Sequence, residues 1–244
     1  MGNLFSGNAF HEEGMNIIKE NVSDLGIAEY SFVAIKDKKN SVWSYNSSNN
    51  LKPEAVVARV LADHGYEVMG DEGRLIKQFF QLLCLVAYEE HENGSMITET
   101  GSQKIISLRP CFMTFPSASF TLEYIKNLLT TSSVDEVIEY IEIFGPVLKS
   151  GFQGFEGDDL DLIHSFLNSF TLSKLLNMFE LALSTNSGLS GWPDIAAIKN
   201  NHVYFIEVKT TDLLTKNQKS WISIYKKSLD IDYRIIRLKQ SFSS

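Results

Sequence analysis

The sequence predicts an α/β protein with a large helical segment, and three observations carry that reading. First, the stretch GWPDIAAIKNNHVYFIEVKTT, Gly191 to Thr211, reads as two apolar strands around Asn200-Asn201, a dipeptide that tolerates the positive φ of a tight hairpin turn. Second, YRIIRL, Tyr233 to Leu238, supplies a further strand beyond a helical run. Third, FTLEYIKNLL, SSVDEVIEYIEIF and LIHSFLNSFTLSKLLNMFELALS all place apolar residues at helical spacing ahead of the hairpin.

Taken in order, residues 1–50 read as a small α+β unit. An opening helix is expected around Glu12 to Val22, followed by a hairpin in which YSFVAIK and SVWSY flank the turn-like Asp37-Lys38-Lys39-Asn40. The polar run SYNSSNN, Ser44 to Asn50, reads as a linker. Pro53 suits the first turn of a helix that runs through EAVVARVLAD and stops at Gly65. A second helix, 71–88, carries Leu75, Ile76, Phe79, Leu82, Leu83 and Val86 on one broad apolar face. EGDDLD, Glu156 to Asp161, lacks the glycine and spacing of a calcium loop and reads as a solvated helix start.

Composition narrows the function classes. With 44% hydrophobic residues in 244, the chain can build one large domain or a domain with a small appendage. No apolar run reaches about 18 residues and the first residues lack the basic-then-apolar pattern of a secretory signal, so a soluble, cytoplasmic protein without a membrane partner is expected. Cys84 and Cys111 form no CxxC pair, which points to reduced thiols rather than a disulfide or zinc site. MGNLFS fits the short pattern for myristoylation at Gly2, a weak signal beside an ordinary start sequence. The net charge of -8 is unevenly spread: Lys199 to Lys239 holds nine basic and four acidic residues, a local +5, against 13 basic and 26 acidic residues elsewhere. The basic segment is the one holding the hairpin.

The hairpin poses the chemical question. With Asn200 and Asn201 as its loop, Lys199 faces His202, Ile198 faces Val203, and Asp194 comes opposite Glu207. Cross-strand partners lie roughly 4.5 to 5.5 Å apart, so the two carboxylates repel. Alternation puts Glu207 and Lys209 on one face and Val208 on the other. A divalent cation between the carboxylates removes the repulsion, and oxygen ligands without His or Cys favour Mg²⁺ or Mn²⁺. An edge hairpin with its charges in water is the plainer alternative, disfavoured by the Val/Ile/Phe/Tyr content of both strands.

Pro193-Asp194 followed by Glu207-x-Lys209 resembles the PD-(D/E)xK nuclease superfamily, and the order GWPDIAAI, VYFIEVK, LTKNQKSW resembles the VRR-NUC family within it. More loosely, HGYEVMGDEGRLIKQFFQLL is similar to a segment of the Fanconi-associated nucleases in which a glutamate opens a helix before a helical insertion. The resemblance implies a restriction-endonuclease-like mixed sheet flanked by helices, with residues 51–244 as the nuclease domain: catalytic helix 71–88, insertion about 90–185, catalytic core 190–244. It implies Asp194, Glu207, Lys209, Gln218 and Glu72 as catalytic residues, and Glu72, Asp194, Glu207 and the Val208 carbonyl as metal ligands. Gln218 has a second expected role, because Thr215-x-x-Gln218 is a capping box. Trp221, Ile222, Tyr225 and Leu229 read as the packing stripe of the same helix, and Lys216, Lys219, Lys226 and Lys227 as contacts to DNA phosphates or a solubilising face.

The function so implied is a metal-dependent deoxyribonuclease acting on flap, junction or end structures in repair, replication or defence, as a monomer or homodimer. Two rivals stand beside it: a catalytically silent DNA-binding module on the same scaffold, and an assembly protein whose acidic N-terminal part binds a basic protein partner.

Overall fold

The computed structural model describes residues 18–22, 25–36, 42–46, 48–70, 72–80, 83, 118–149, 159–184 and 190–241. These group into two compact units, Arg74–Leu189 and a second built from Met1–Gly73 with Ser190–Ser244. The sequence reading draws a boundary at residue 50, but sheet hydrogen bonding runs across that position.

The discontinuous unit is one eight-stranded mixed sheet: β1 (Ile18–Val22), β2 (Ala28–Lys36), β3 (Trp43–Tyr45), β4 (Ser48–Leu51), β5 (Glu67–Met69), β6 (Ile195–Lys199), β7 (His202–Lys209) and β8 (Asp232–Ser241). Its order is β4-β3-β2-β8-β7-β6-β5, with β1 also paired to β2. β8 lies parallel to both β2 and β7, and the remaining pairs are antiparallel. Three sequence expectations change here. Residues 18–22 are a strand against β2 rather than the end of a helix, and the stretch read as a linker forms β3 and β4, turning at Asn46 with φ 52. Third, Glu67–Met69 adds a strand that no periodicity announced, being too short to show alternation.

The sheet has two buried faces because its central strands alternate side chains between them. On one, Tyr204, Ile206 and Val208 of β7 and Ile236 and Leu238 of β8 pack with Val56, Val57, Val60 and Leu61 of α1 (Pro53–Asp63). Pro53 occupies the start of α1 as expected, and the helix ends where Gly65 (φ 76) donates to the Ala62 carbonyl at 2.9 Å. On the other face, Phe205 and Tyr233 meet Trp221 of a helix at Lys216–Leu229, numbered α7 below, at ring distances of 5.7 and 5.8 Å. Trp221, Ile222, Tyr225 and Leu229 are all buried, the stripe that the spacing predicts.

The described residues of the second unit form helices: α2 (residues 74–80), α3 (Ala118–Thr131), α4 (Val134–Lys149), α5 (Asp159–Phe170) and α6 (Leu172–Ser184). Leu75, Ile76, Phe79 and Leu83 are buried as expected, while Leu82 and Val86 lie outside the described residues. The run LIHSFLNSFTLSKLLNMFELALS is two helices, not one. It breaks at Thr171, whose φ of 67 ends α5, while its hydroxyl accepts from Lys174 N–H to open α6. Asp159 begins α5 and meets Arg74 at 3.3 Å, so that part of the acidic run is paired rather than simply solvated. Gly2, Glu12, the turn 37–40, Cys84 and Cys111 lie outside the described residues. No helix among the described residues is long and apolar enough to cross a membrane.

Candidate functional site

The Asn200-Asn201 turn forms as its sequence dictates, with φ values of 51 and 56. It fixes the register Lys199↔His202 through Ile195↔Ile206, five rungs in the order the sequence predicts. Asp194 stands one residue before β6, where Pro193 brings the chain in and the bend ends the ladder. Its Oδ2 accepts from the Val208 N–H at 2.7 Å, and its carbonyl accepts from the Glu72 N–H at 3.3 Å. Asp194 therefore joins the end of one strand to the backbone of the next.

Glu207 is 1% exposed, which is unusual for a carboxylate and requires partners. Lys209 Nζ lies 3.0 Å from Oε1, Gln218 Nε2 donates to the same oxygen, and the Tyr233 hydroxyl donates to Oε2 at 3.2 Å. Lys209 also reaches Asp212 at 3.2 Å. Gln218 is held from its other end. Its Oε1 accepts from Thr215 N–H at 2.8 Å and its N–H donates to Thr215 Oγ1 at 3.3 Å, completing the capping box at the start of α7. Gly191, with φ 75, lets the chain lie against that first helical turn. A Cβ there would come within 2.4 Å of the Asn217 carbonyl and 2.7 Å of Gln218 N.

The electrostatics follow from burial and from an excess of acid. Burial pushes the Glu207 carboxyl up to about 8, and the neighbouring Asp194 charge adds to the rise. Asp194 is raised too, chiefly by burial, with the charge of Glu54 contributing. Burial works downward on Lys209, but Glu207 and Asp212 outweigh it and hold the ammonium above its ordinary value. The Asp194 charge thus acts on a Glu207 carboxyl that one lysine already faces. A proton on Glu207 relieves the repulsion in part, and a divalent cation would relieve it more completely.

The expected residues are not all brought together. Asp194, Glu207, Lys209 and Gln218 converge, with Val208 contributing its N–H to Asp194. Glu72 does not open a helix. It sits in a turn before α2 with φ 50, exposed, and followed by Gly73, whose positive φ and close approach to Trp192 fix that turn. No group of three or more His, Cys, Asp or Glu side chains arranged to hold a metal ion occurs among the described residues. A cleft of about 400 Å³ beside Asp194 is lined by Lys52, Glu54 and Glu72. Glu54 is the carboxylate that sequence reasoning missed: it stands in the first turn of α1, where the helix dipole alone accounts for an acid, so nothing in the sequence set it apart. Lys216, Lys219 and Lys227 are exposed on α7, but Lys226 donates to the carbonyls of Leu25 at 3.1 Å and Gly26 at 2.7 Å, a structural use of its charge.

The donor set fits a hard cation. Two carboxylates are what Mg²⁺ commonly takes from protein, its remaining positions being filled by water and substrate phosphate, and Asp194 and Glu207 offer it carboxylate oxygens.

No family model matches the chain, and no curated protein matches it. Among solved structures, it is similar to paFAN1 bound to 5′ flap DNA with a gap: a 2-nucleotide flap complex at TM-score 0.62 and 17% identity, and a 1-nucleotide flap complex at 0.59 and 18%. The chain is covered to 93% and 89% and spans about two fifths of those longer chains, 40% and 38%. The fold expected from the hairpin motifs, a mixed sheet flanked by helices, is the fold of this protein, and it is shared with the paFAN1 chains.

Proposed function

We propose that this protein is a metal-dependent nuclease that hydrolyses DNA phosphodiester bonds at flap, junction or end structures. The observation that carries the reading is the cluster of buried Glu207 and Lys209 with half-buried Asp194 at the open end of the hairpin, with Gln218 bonded to Glu207. The fold likeness to paFAN1, whose structures contain 5′ flap DNA, supports the choice of substrate class.

In this reading Asp194 and Glu207 would hold Mg²⁺ or Mn²⁺, with the Val208 carbonyl as a further oxygen donor and Glu54 and Glu72 lining the cleft beside Asp194. The metal supplies Lewis-acid polarisation of the phosphate and a low-pKa water. Lys209, clamped between Glu207 and Asp212, presents a fixed positive charge to the phosphorane that develops during attack. Gln218 keeps Glu207 from turning away. Lys216, Lys219 and Lys227 position the duplex through phosphates without reading bases.

The direct test is a panel of labelled flap, splayed-arm, four-way-junction and single-stranded DNA incubated with Mg²⁺ or Mn²⁺. Cleavage is expected for wild type and is expected to vanish in Asp194→Ala and Lys209→Ala with circular dichroism unchanged. Cleavage that persists in EDTA, or equally in either variant, removes the assignment. The lack of a three-acid group among the described residues favours one second reading, a catalytically silent DNA-binding module. Flap binding with no cleavage under any divalent metal would select it.

A further inference from the structure

We infer that Tyr233 is a positioning residue for Glu207, setting the orientation of the carboxylate toward Asp194 and with it the site's affinity for a divalent cation. The inference rests on the metal-dependent reading above and extends it to a residue outside the hairpin and its following helix.

Three observations place Tyr233 in that role. Parallel pairing of β7 with β8 sets Phe205 beside Tyr233 and Glu207 beside Ile235, so Tyr233 and Glu207 share a sheet face one pleat apart. The ring is 2% exposed and lies against Trp221 at 5.8 Å, which leaves little freedom to swing. From that fixed ring the hydroxyl donates to Glu207 Oε2 at 3.2 Å, the oxygen that neither Lys209 nor Gln218 holds.

The division of labour follows from the two oxygens. Lys209 and Gln218 both pull on Oε1, and with one oxygen held the carboxylate can still rotate about its last bond. A donor on Oε2 removes that rotation and fixes the plane in which a cation must approach. Partners of this kind, bonded to a ligand rather than to the metal, typically change metal affinity about 10- to 100-fold when lost. Burial makes the bond mutual as well: a phenol hydroxyl in this interior has no water to turn to.

The test uses the full chain, with Mn²⁺ as probe, followed by electron paramagnetic resonance of the free ion and independently by cleavage of flap DNA. Tyr233→Phe keeps the ring and its packing. It is expected to weaken Mn²⁺ binding about tenfold and to raise the metal concentration for half-maximal cleavage by a similar factor, while turnover at saturating metal stays within about twofold. A role confined to packing would instead leave both Mn²⁺ affinity and turnover unchanged, because the ring is kept. A second background guards against partial unfolding: in Glu207→Gln, which removes the carboxylate being oriented, Tyr233→Phe should add no further loss of Mn²⁺ affinity. Equal losses in both backgrounds, or unchanged Mn²⁺ binding in Tyr233→Phe, overturn the inference alone. If wild type binds Mn²⁺ no better than Asp194→Ala, the metal-dependent reading falls and takes this inference with it.

Discussion

Gln218 donates its amide N–H to the Glu207 carboxylate while its amide oxygen caps Thr215, so one side chain ties the start of α7 to the buried acid of β7. The two ends are separable by mutation. Thr215→Ala removes one hydrogen bond of the capping box and is expected to cost about 1 kcal/mol in urea unfolding, with cleavage reduced only modestly. Gln218→Glu keeps a competent capping residue but sets a third acid against Glu207. Lower stability in EDTA, restored in part by Mg²⁺, is the expected result, read from thermal melts with and without the metal.

Glu207 also makes stability depend on pH in a direction opposite to that of a salt-bridged acid. Its carboxyl rises from 4.5 to about 8 on folding, first through burial and then through Asp194. The folded state therefore holds a proton that the unfolded chain releases, and stability is greatest below the unfolded value and declines as pH rises through about 8. The decline is bounded by about 1.4 kcal/mol per pH unit for one proton. In EDTA, wild type should lose stability between those limits relative to Glu207→Gln, and added Mg²⁺ should flatten the difference. Parallel pH profiles for the two proteins would contradict this.

Gly191 cannot be replaced cheaply. Its φ of 75 strains any other residue, and an added Cβ meets backbone of Asn217 that has no rotamer with which to yield. Gly191→Ala is expected to destabilise by about 1–3 kcal/mol. Because the displaced turn carries Gln218, cleavage measured well below the melting temperature should fall further than stability alone explains.

The lysines of α7 divide by what they touch. Lys226 is bonded to the carbonyls of Leu25 and Gly26, so Lys226→Ala should lower the melting temperature and leave DNA affinity nearly unchanged. Lys216→Ala and Lys219→Ala should show the reverse, each reducing the slope of log affinity against log salt by about one. Fluorescence anisotropy over a salt series, with Ca²⁺ in place of Mg²⁺, distinguishes the two patterns.

The hairpin was legible in the sequence because its turn and register follow from local rules: two asparagines fix the loop, and pairing then sets five rungs up to Ile195 and Ile206, next to Asp194 and Glu207. The α7 stripe and the capping box were legible for the same reason. What sequence could not supply was anything set by distant pairing. Residues 18–22 carry no alternation strong enough to announce a strand and owe their conformation to β2. The polar Ser48–Leu51 is a strand because β3 offers it a partner, a case of tertiary context overriding propensity. Glu54 and Tyr233 were hidden differently: each has an ordinary local explanation, and only the folded sheet brings them beside Asp194 and Glu207.

The parallel pairing of β2 with β8 joins residues 28–35 to 234–241, two segments far apart in sequence. During synthesis, β2 must wait until β8 has been made before it finds that neighbour, and until then it presents an open sheet edge bearing Val33 and Ile35, both about half exposed even in the finished fold. Tyr233 belongs to β8 itself. Chains interrupted before β8 would thus be prone to aggregate and would have an incomplete candidate site, so the topology makes assembly of the site wait on the synthesis of β8.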